Sequence, residues 1–247
     1  LLMLNRSDSG DRLNAIRFLI LSAIMTAIFF YGTSLYYSTF ESFLFSDMRS
    51  INSVSFIIGI LMILSAILFK LSAAPFHTWT VDIYEKASWP LVLFFDTVSK
   101  LFMLLIFSKI CVVLIGKNII FHQKFLSIVS ILSMVIGGIL PLRQKNIKKF
   151  IAYASIGHIG FAMTVFATTT VVSSFRFAIT YMISYVISAF CLFAAILTLR
   201  KNRKIETFKE IQGLVQESPI LAYTIVISIF AMAGIPPFMN FIAKMEV

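Results

Sequence analysis

Three lysines, Lys70, Lys100 and Lys244, stand inside, or at the broken middle of, strongly apolar segments of membrane length. A charged side chain at the centre of a bilayer costs roughly 2.5–3.5 kcal/mol on insertion scales, so such residues face water, a cavity or a partner. An amine suits reversible protonation, because desolvation favours its neutral form and a nearby carboxylate favours its charged form. One pH unit of such a shift represents about 1.36 kcal/mol. Moving one charge across a potential of about 100 mV costs about 2.3 kcal/mol. A few coupled shifts along a row of lysines therefore match the work of carrying protons against a membrane potential.

Two further ionisable residues share that setting. Asp96 precedes Lys100 by one helical turn and lies on the same face, so the two can pair. The pair reads either as a structural ion pair or as one in which Asp96 also holds the Lys100 proton. By helical rise, Lys100 sits roughly 18 Å from the start of its helix near Ser88, too deep to snorkel easily. His158, in the helix that follows Lys149, reads as a hydrogen-bonded core residue or as a proton shuttle, since imidazole titrates near neutrality. Lys109 is expected to snorkel toward the far surface. His77 is expected to brace irregular backbone together with Trp79, Asp82 and Tyr84.

Apolar helices must position these groups. The 247 residues are 59% hydrophobic and 13% charged, whereas a soluble domain is about 45–50% apolar and about 25% charged. Uncharged apolar runs occupy 18–40, 50–69, 125–142, 150–175, 177–199 and 218–243, and a further one near 89–116 carries Asp96, Lys100 and Lys109. About 20 residues cross a bilayer core, and backbone in lipid must satisfy its own polar groups. The fold class expected is an all-α polytopic membrane protein of about seven spans.

The net charge of +10 does not indicate a nucleic-acid partner, because the basic residues follow topology. With seven crossings, one side holds Arg6, Arg12, Arg17, Lys86, Arg143, Lys145, Lys148, Lys149, Arg200, Lys201, Arg203, Lys204 and Lys209; the other holds Arg49, Lys117, Lys124 and Arg176. The richer side is the cytoplasmic or matrix side. Cys111 and Cys191 fall within spans without a pairing pattern, and imply neither disulfide nor metal site. The abundance of Phe, 26 residues, fits an AT-rich organelle genome. The chain stops at Val247 inside what should be a continuing helix, so more protein is expected to complete the fold.

Pro75 interrupts one span, and Gly234, Pro236 and Pro237 interrupt the last. Proline removes a backbone donor and breaks the helix. Lys70-Leu-Ser-Ala-Ala-Pro-Phe76 aligns with Met232-Ala-Gly-Ile-Pro-Pro-Phe238. Paired interrupted helices are a mark of inverted-repeat transporters, whose sites lie near the breaks; proline kinks that only shape packing are the plainer reading. The expected organisation is one transmembrane domain over 1–247, with repeat parts at about 14–116 and 119–247.

The stretch Phe69-Lys-Leu-Ser-Ala-Ala-Pro-Phe-His-Thr-Trp-Thr-Val-Asp-Ile-Tyr-Glu85, followed by Thr97-Val-Ser-Lys100, resembles the chain 2 family of NADH–ubiquinone oxidoreductase, an antiporter-like membrane subunit of respiratory complex I. Phe29-Phe-Tyr-Gly32, Gln144–His158 and Ala233-Gly-Ile-Pro-Pro-Phe238 with Ala243-Lys244 agree with it in order. The likeness corresponds to helices six to twelve of the family's usual fourteen. It implies that Lys70, Lys100 and Lys244 lie on a hydrated proton path driven by quinone reduction elsewhere in the complex. It also implies a proton-transport role in the mitochondrial inner membrane, with basic loops facing the matrix. The partners implied are the other membrane-arm subunits, neighbouring antiporter-like subunits, membrane lipids and a separate fragment with the missing N-terminal helices. NADH, FMN, iron–sulfur clusters and ubiquinone would bind other subunits, and no cofactor motif occurs here. The family's acidic partner for Lys70 would fall before Leu1. Asp96 and Glu246 depart from the family pattern and are expected to retune the neighbouring lysines. A stand-alone sodium/proton antiporter and a non-pumping structural subunit are the alternatives.

Overall fold

In the computed structural model, residues 9–42, 44, 53–116, 120–168, 171–200 and 205–245 are described; Glu246 lies outside them. The described residues are helical, apart from turns and one isolated antiparallel bridge between Asn146 and Thr207. The helices are α1 Ser9–Phe40, α2 Val54–Leu71, α3 Thr78–Lys86, α4 Trp89–Phe94, α5 Lys100–Gly116, α6 Ile120–Ile139, α7 Ile147–Thr168, α8 Val171–Leu199, α9 Leu214–Glu217, α10 Pro219–Ala233 and α11 Met239–Met245. A π-helical turn, Phe95–Ser99, joins α4 to α5 into one crossing.

Among the described residues, six helices are long and apolar enough to cross a membrane. The expected seventh crossing is the interrupted pair α10 and α11. At about 1.5 Å per residue, the 15 residues of α10 fall short of a hydrocarbon core about 30 Å thick. The boundary between the fifth and sixth spans differs from expectation. It falls between Thr168 and Val171, so Arg176, assigned from sequence to a loop, lies inside α8. Charge marked the wrong place because a long cationic side chain can sit within the first turns of a helix and still reach the interface.

Close packing between spans depends on glycine. At Gly137 of α6, a Cβ would lie 2.2 Å from the Gly157 backbone nitrogen of α7. At Gly160, one would lie 2.6 Å from the Ser133 side chain. Gly32 of α1 meets the Gly59 carbonyl of α2 at 2.8 Å in the same sense. Small residues permit this approach in membranes, where dispersion and hydrogen bonds rather than water exclusion hold helices together.

The two breaks match residue for residue. Ser72 and Gly234 both adopt left-handed backbone, with φ of 65° and 76°. The following amides, of Ala73 and Ile235, reach back to the Leu68 and Phe230 carbonyls at 3.0 and 3.2 Å. Three residues after each of these, Phe76 and Phe238 donate to the Ala73 and Ile235 carbonyls at 2.8 and 3.1 Å. This is the register of the sequence alignment, and it makes α2–α3 and α10–α11 two discontinuous helices of one design. Gly137→Ala is expected to push α6 from α7 at a cost of about 1–3 kcal/mol. Thermal unfolding of the purified membrane protein should register a lower midpoint, and an unchanged one would refute the close contact.

Candidate functional site

Protein groups solvate the first break. The Ala74 amide donates to Ser133 Oγ of α6 at 2.9 Å, and Trp79 Nε1 donates to the Phe69 carbonyl at 3.0 Å. Asn240 does the equivalent at the second break, donating to the Ala231 carbonyl at 2.7 Å and to Ser188 Oγ at 3.2 Å. It also accepts from Ser184 Oγ. Backbone freed from helical pairing at membrane depth requires such partners.

Each lysine expected from the sequence stands beside this framework. Lys70 lies in the last turn of α2; its amine donates to Ser22 Oγ of α1 at 2.5 Å and lies 5.9 Å from the Phe18 ring centre. No carboxylate pairs with it among the described residues. It also borders a cavity of about 690 Å³ between α1, α2 and α5. Lys109, expected only to snorkel, borders the same cavity.

Lys100 begins α5 directly after the π turn and is 1% exposed. Its amine donates to Asp96 Oδ1 at 3.0 Å and to Ser155 Oγ of α7 at 2.5 Å. The Tyr84 ring centre lies 5.6 Å away. Asp96 is fully buried, and two phenols bind it besides the lysine: Tyr84 to Oδ1 at 3.3 Å, and Tyr185 of α8 to Oδ2 at 2.7 Å. The expected Asp96–Lys100 pair is therefore formed. The expected role of Tyr84 at the break is corrected: its hydroxyl donates instead to Asp96 Oδ1, on the next crossing. Of the residues named from sequence for the first break, Trp79 bonds the interrupted backbone by its side chain, and His77 lies against the Pro75 backbone.

His158 of α7 is part-buried and shares a 2.7 Å hydrogen bond through Nδ1 with the Tyr181 hydroxyl. Its ring lies 4.5 Å from that of Tyr185. Lys100 and Lys244 both lie within electrostatic range of it. The Lys244 amine donates to the Ala233 carbonyl at 2.8 Å and stands 5.8 Å from the Phe161 ring centre. Gly234 leaves room for this fold-back, since a Cβ there would lie 2.9 Å from Lys244 Cδ. Lys100, Asp96, Tyr185, His158 and Tyr181 thus form one row of groups joined by contact, with Lys244 in electrostatic range of His158 at its far end.

Tyr181, Ser184, Tyr185 and Ser188 carry much of this arrangement and were not singled out from sequence. Their spacing of three, four and seven residues is a polar stripe on one face of an apolar helix, the signal that could have found them. Among the described residues, no cluster of three His, Cys, Asp or Glu could hold a metal. Replacing Asn240 by Ala is expected to destabilise the protein by about 1–2 kcal/mol, at roughly 0.6 kcal/mol per interhelical bond plus the freed carbonyl. Thermal melting in detergent checks this, with Met239→Ala at an exposed neighbour as the unaffected control.

Comparison with known proteins gives the context. The family described as NADH:quinone oxidoreductase/Mrp antiporter, TM matches residues 1–247. NADH-quinone oxidoreductase subunit N of Azorhizobium caulinodans is 32% identical over 245 residues, 98% of this chain and 51% of that protein. The subunit N of Pelagibacter ubique is 33% identical over 244 residues, 97% of this chain and 52% of that protein. The chain therefore spans about half the length of these curated relatives, which are bacterial. In solved structures the fold recurs in respiratory complex I from Thermus thermophilus with bound aureothin, with TM-score 0.81 and 23% identity, covering 98% of this chain and 52% of that one. It recurs in the Mrp complex of a Dietzia species with TM-score 0.87 and 19% identity, covering 98% and 45%. Since the family match runs the full length of the sequence, the chain belongs to the NADH:quinone oxidoreductase/Mrp antiporter transmembrane family.

Proposed function

We propose that the chain is a proton-translocating, antiporter-like subunit of an NADH:quinone oxidoreductase. The observation that carries this reading is the buried Lys100 amine, held by a carboxylate four residues away and by Ser155 of α7. Lys70 is the amine loaded beside the first break, Lys100 the relay, and Lys244 the lateral or exit-side carrier; His158 bridges the last two. Asp96 is the counter-charge of the relay. The repeat parts are about 14–116 and 119–247, each containing one interrupted helix.

In this reading, electron transfer from NADH to quinone, with its FMN and iron–sulfur groups, occurs in other subunits of the complex. The partners are the other membrane-arm subunits, neighbouring antiporter-like subunits, lipids, and the helices that the longer relatives carry beyond this half, whether on the same polypeptide or a separate fragment. The membrane proposed is the mitochondrial inner membrane, with the basic loops on the matrix side; its support is the Phe-rich composition. The bacterial relatives make a bacterial plasma membrane the alternative, with the same loops in the cytoplasm.

A second reading has its own observation. Lys100 is sealed among Asp96, Ser155 and Tyr84, as a permanent structural ion pair would be. Methionine at Lys70 or Lys100 separates the two, with NADH-driven proton uptake as the measurement. A marked fall assigns the residue to the route, and undiminished uptake removes it. Lys100→Met alone strands a buried carboxylate, a change that destabilises proteins by about 3–5 kcal/mol. The same measurement is therefore made with Lys100→Met and Asp96→Asn combined, where uptake should stay low although stability recovers.

A further inference from the structure

Each oxygen of the Asp96 carboxylate faces a different part of the protein. Oδ1 accepts from Lys100 at 3.0 Å and from Tyr84 at 3.3 Å; Oδ2 accepts from Tyr185 at 2.7 Å. Tyr185 is fully buried in α8, and the face of its ring is occupied by the His158 imidazole, at 4.5 Å between centres and 39° between planes. Its hydroxyl therefore belongs to the Lys100 cluster and its ring to the His158 cluster. The hydrogen bonds from Lys100 run through Asp96 to Tyr185, and those of His158 run to Tyr181; among the described residues the two sets meet at the contact of the Tyr185 and His158 rings, with Lys100 also in electrostatic range of His158.

We propose that Tyr185 is a positioning residue that couples the charge state of the Lys100–Asp96 pair to the orientation of His158. This rests on the proton-translocating role of Lys100 proposed above.

The physical reason lies in what each group can accept. A carboxylate is an acceptor only, whereas a carboxylic acid must also donate. While Lys100 is charged, Asp96 is ionised and the Tyr185 hydroxyl has a strong acceptor. When the Lys100 proton passes to Asp96 Oδ1, that oxygen donates back to the neutral amine, and the Tyr185 hydroxyl is left on an uncharged acceptor at Oδ2. A ring held more weakly at its hydroxyl end can shift against the imidazole that it faces. The titratable groups around the pair are Tyr84 from α3, Tyr185 and Tyr181 from α8, and His158 from α7, with Lys244 of α11 in electrostatic range of His158. Tyr84 supplies an internal contrast: it binds the same carboxylate, but its ring lies against Lys100, away from the His158 contact.

The test compares Tyr185→Phe, Tyr84→Phe and Lys100→Met in the assembled complex, reading protons moved per electron transferred. Tyr185→Phe is expected to lose the same share of proton movement as Lys100→Met, while Tyr84→Phe keeps most of it. Equal losses in the two phenylalanine variants, or normal pumping by Tyr185→Phe beside a defective Lys100→Met, would overturn the coupling role and leave the relay standing. Normal pumping in both Lys100→Met and Tyr185→Phe would remove the proton-translocating reading itself. Should Tyr185→Phe fail to assemble, 3-fluorotyrosine at position 185 keeps the ring and hydroxyl but makes the phenol more acidic. The pH profile of proton movement must then shift, and an unshifted profile rejects the proposal.

Discussion

An ammonium group inside a lipid slab needs a counter-charge and a full set of acceptors, and the interior here is arranged around meeting that need at Lys100. Two unit charges about 4 Å apart attract by about 4 kcal/mol at an effective dielectric constant of 20. Withdrawing each ion from water costs several kcal/mol even after relaxation. For two ions desolvation exceeds the attraction, and the additional donors must make up the difference. Asp96 receives three, from Lys100, Tyr84 and Tyr185, and Lys100 has a further acceptor in Ser155. Four elements, α3, the α4–α5 crossing, α7 and α8, meet at one ion pair. A near balance of these terms is what the proposed transport role requires. A pair stabilised by a large margin would hold its proton permanently, and one without partners would never be charged.

The interrupted helices meet the same requirement with backbone instead of side chains. Each break turns through a left-handed residue and exposes carbonyls that the helix no longer pairs. Ser133 and Trp79 satisfy one break; Asn240 and Lys244 satisfy the other. Lys244 is therefore both a candidate carrier and part of the seal around its own break. Its amine bonds the Ala233 carbonyl, so its release would leave that carbonyl in need of another donor. Lys70 stands differently: its partner is a serine hydroxyl, and it opens on a cavity. Lys70 and Lys244 have neutral partners, and Lys70 also borders a cavity, while Lys100 has the charged partner and the closed surroundings.

Much of this was legible in the sequence, for identifiable reasons. Fold class and six of the seven expected spans follow from the length of apolar runs, which a bilayer constrains more tightly than water constrains a soluble domain. The breaks were legible because proline and glycine report backbone geometry locally, and even their mutual register was recovered. The Asp96–Lys100 pair was legible because one helical turn fixes its separation. Boundaries hidden inside apolar sequence were not: Arg176 drew the start of α8 to the wrong place. The phenols were missed as well. Tyr84 was assigned to the break because it is near in sequence, but its hydroxyl bonds a carboxylate on the next crossing, a relation that depends on tertiary contact. Tyr185 and Tyr181 are amphipathic residues in an apolar helix, and tyrosine there is ordinary until its hydroxyl is known to have a buried charged neighbour.

The glycine contacts and the polar row are linked by geometry. Gly157 and Gly160 flank His158 on α7, and both allow α6 to approach at backbone distance. Ser133, which bonds the Ala74 amide at the first break, sits on α6 at that approach. Ser155, two residues before Gly157, bonds Lys100. A displacement of α6 relative to α7 would therefore act on the first break and on the surroundings of His158 together. Packed interfaces of this kind shift between discrete arrangements more readily than they deform continuously. The small residues thus do more than admit close packing: they make the solvation of the break by Ser133 and the support of Lys100 by Ser155 properties of a single helix interface.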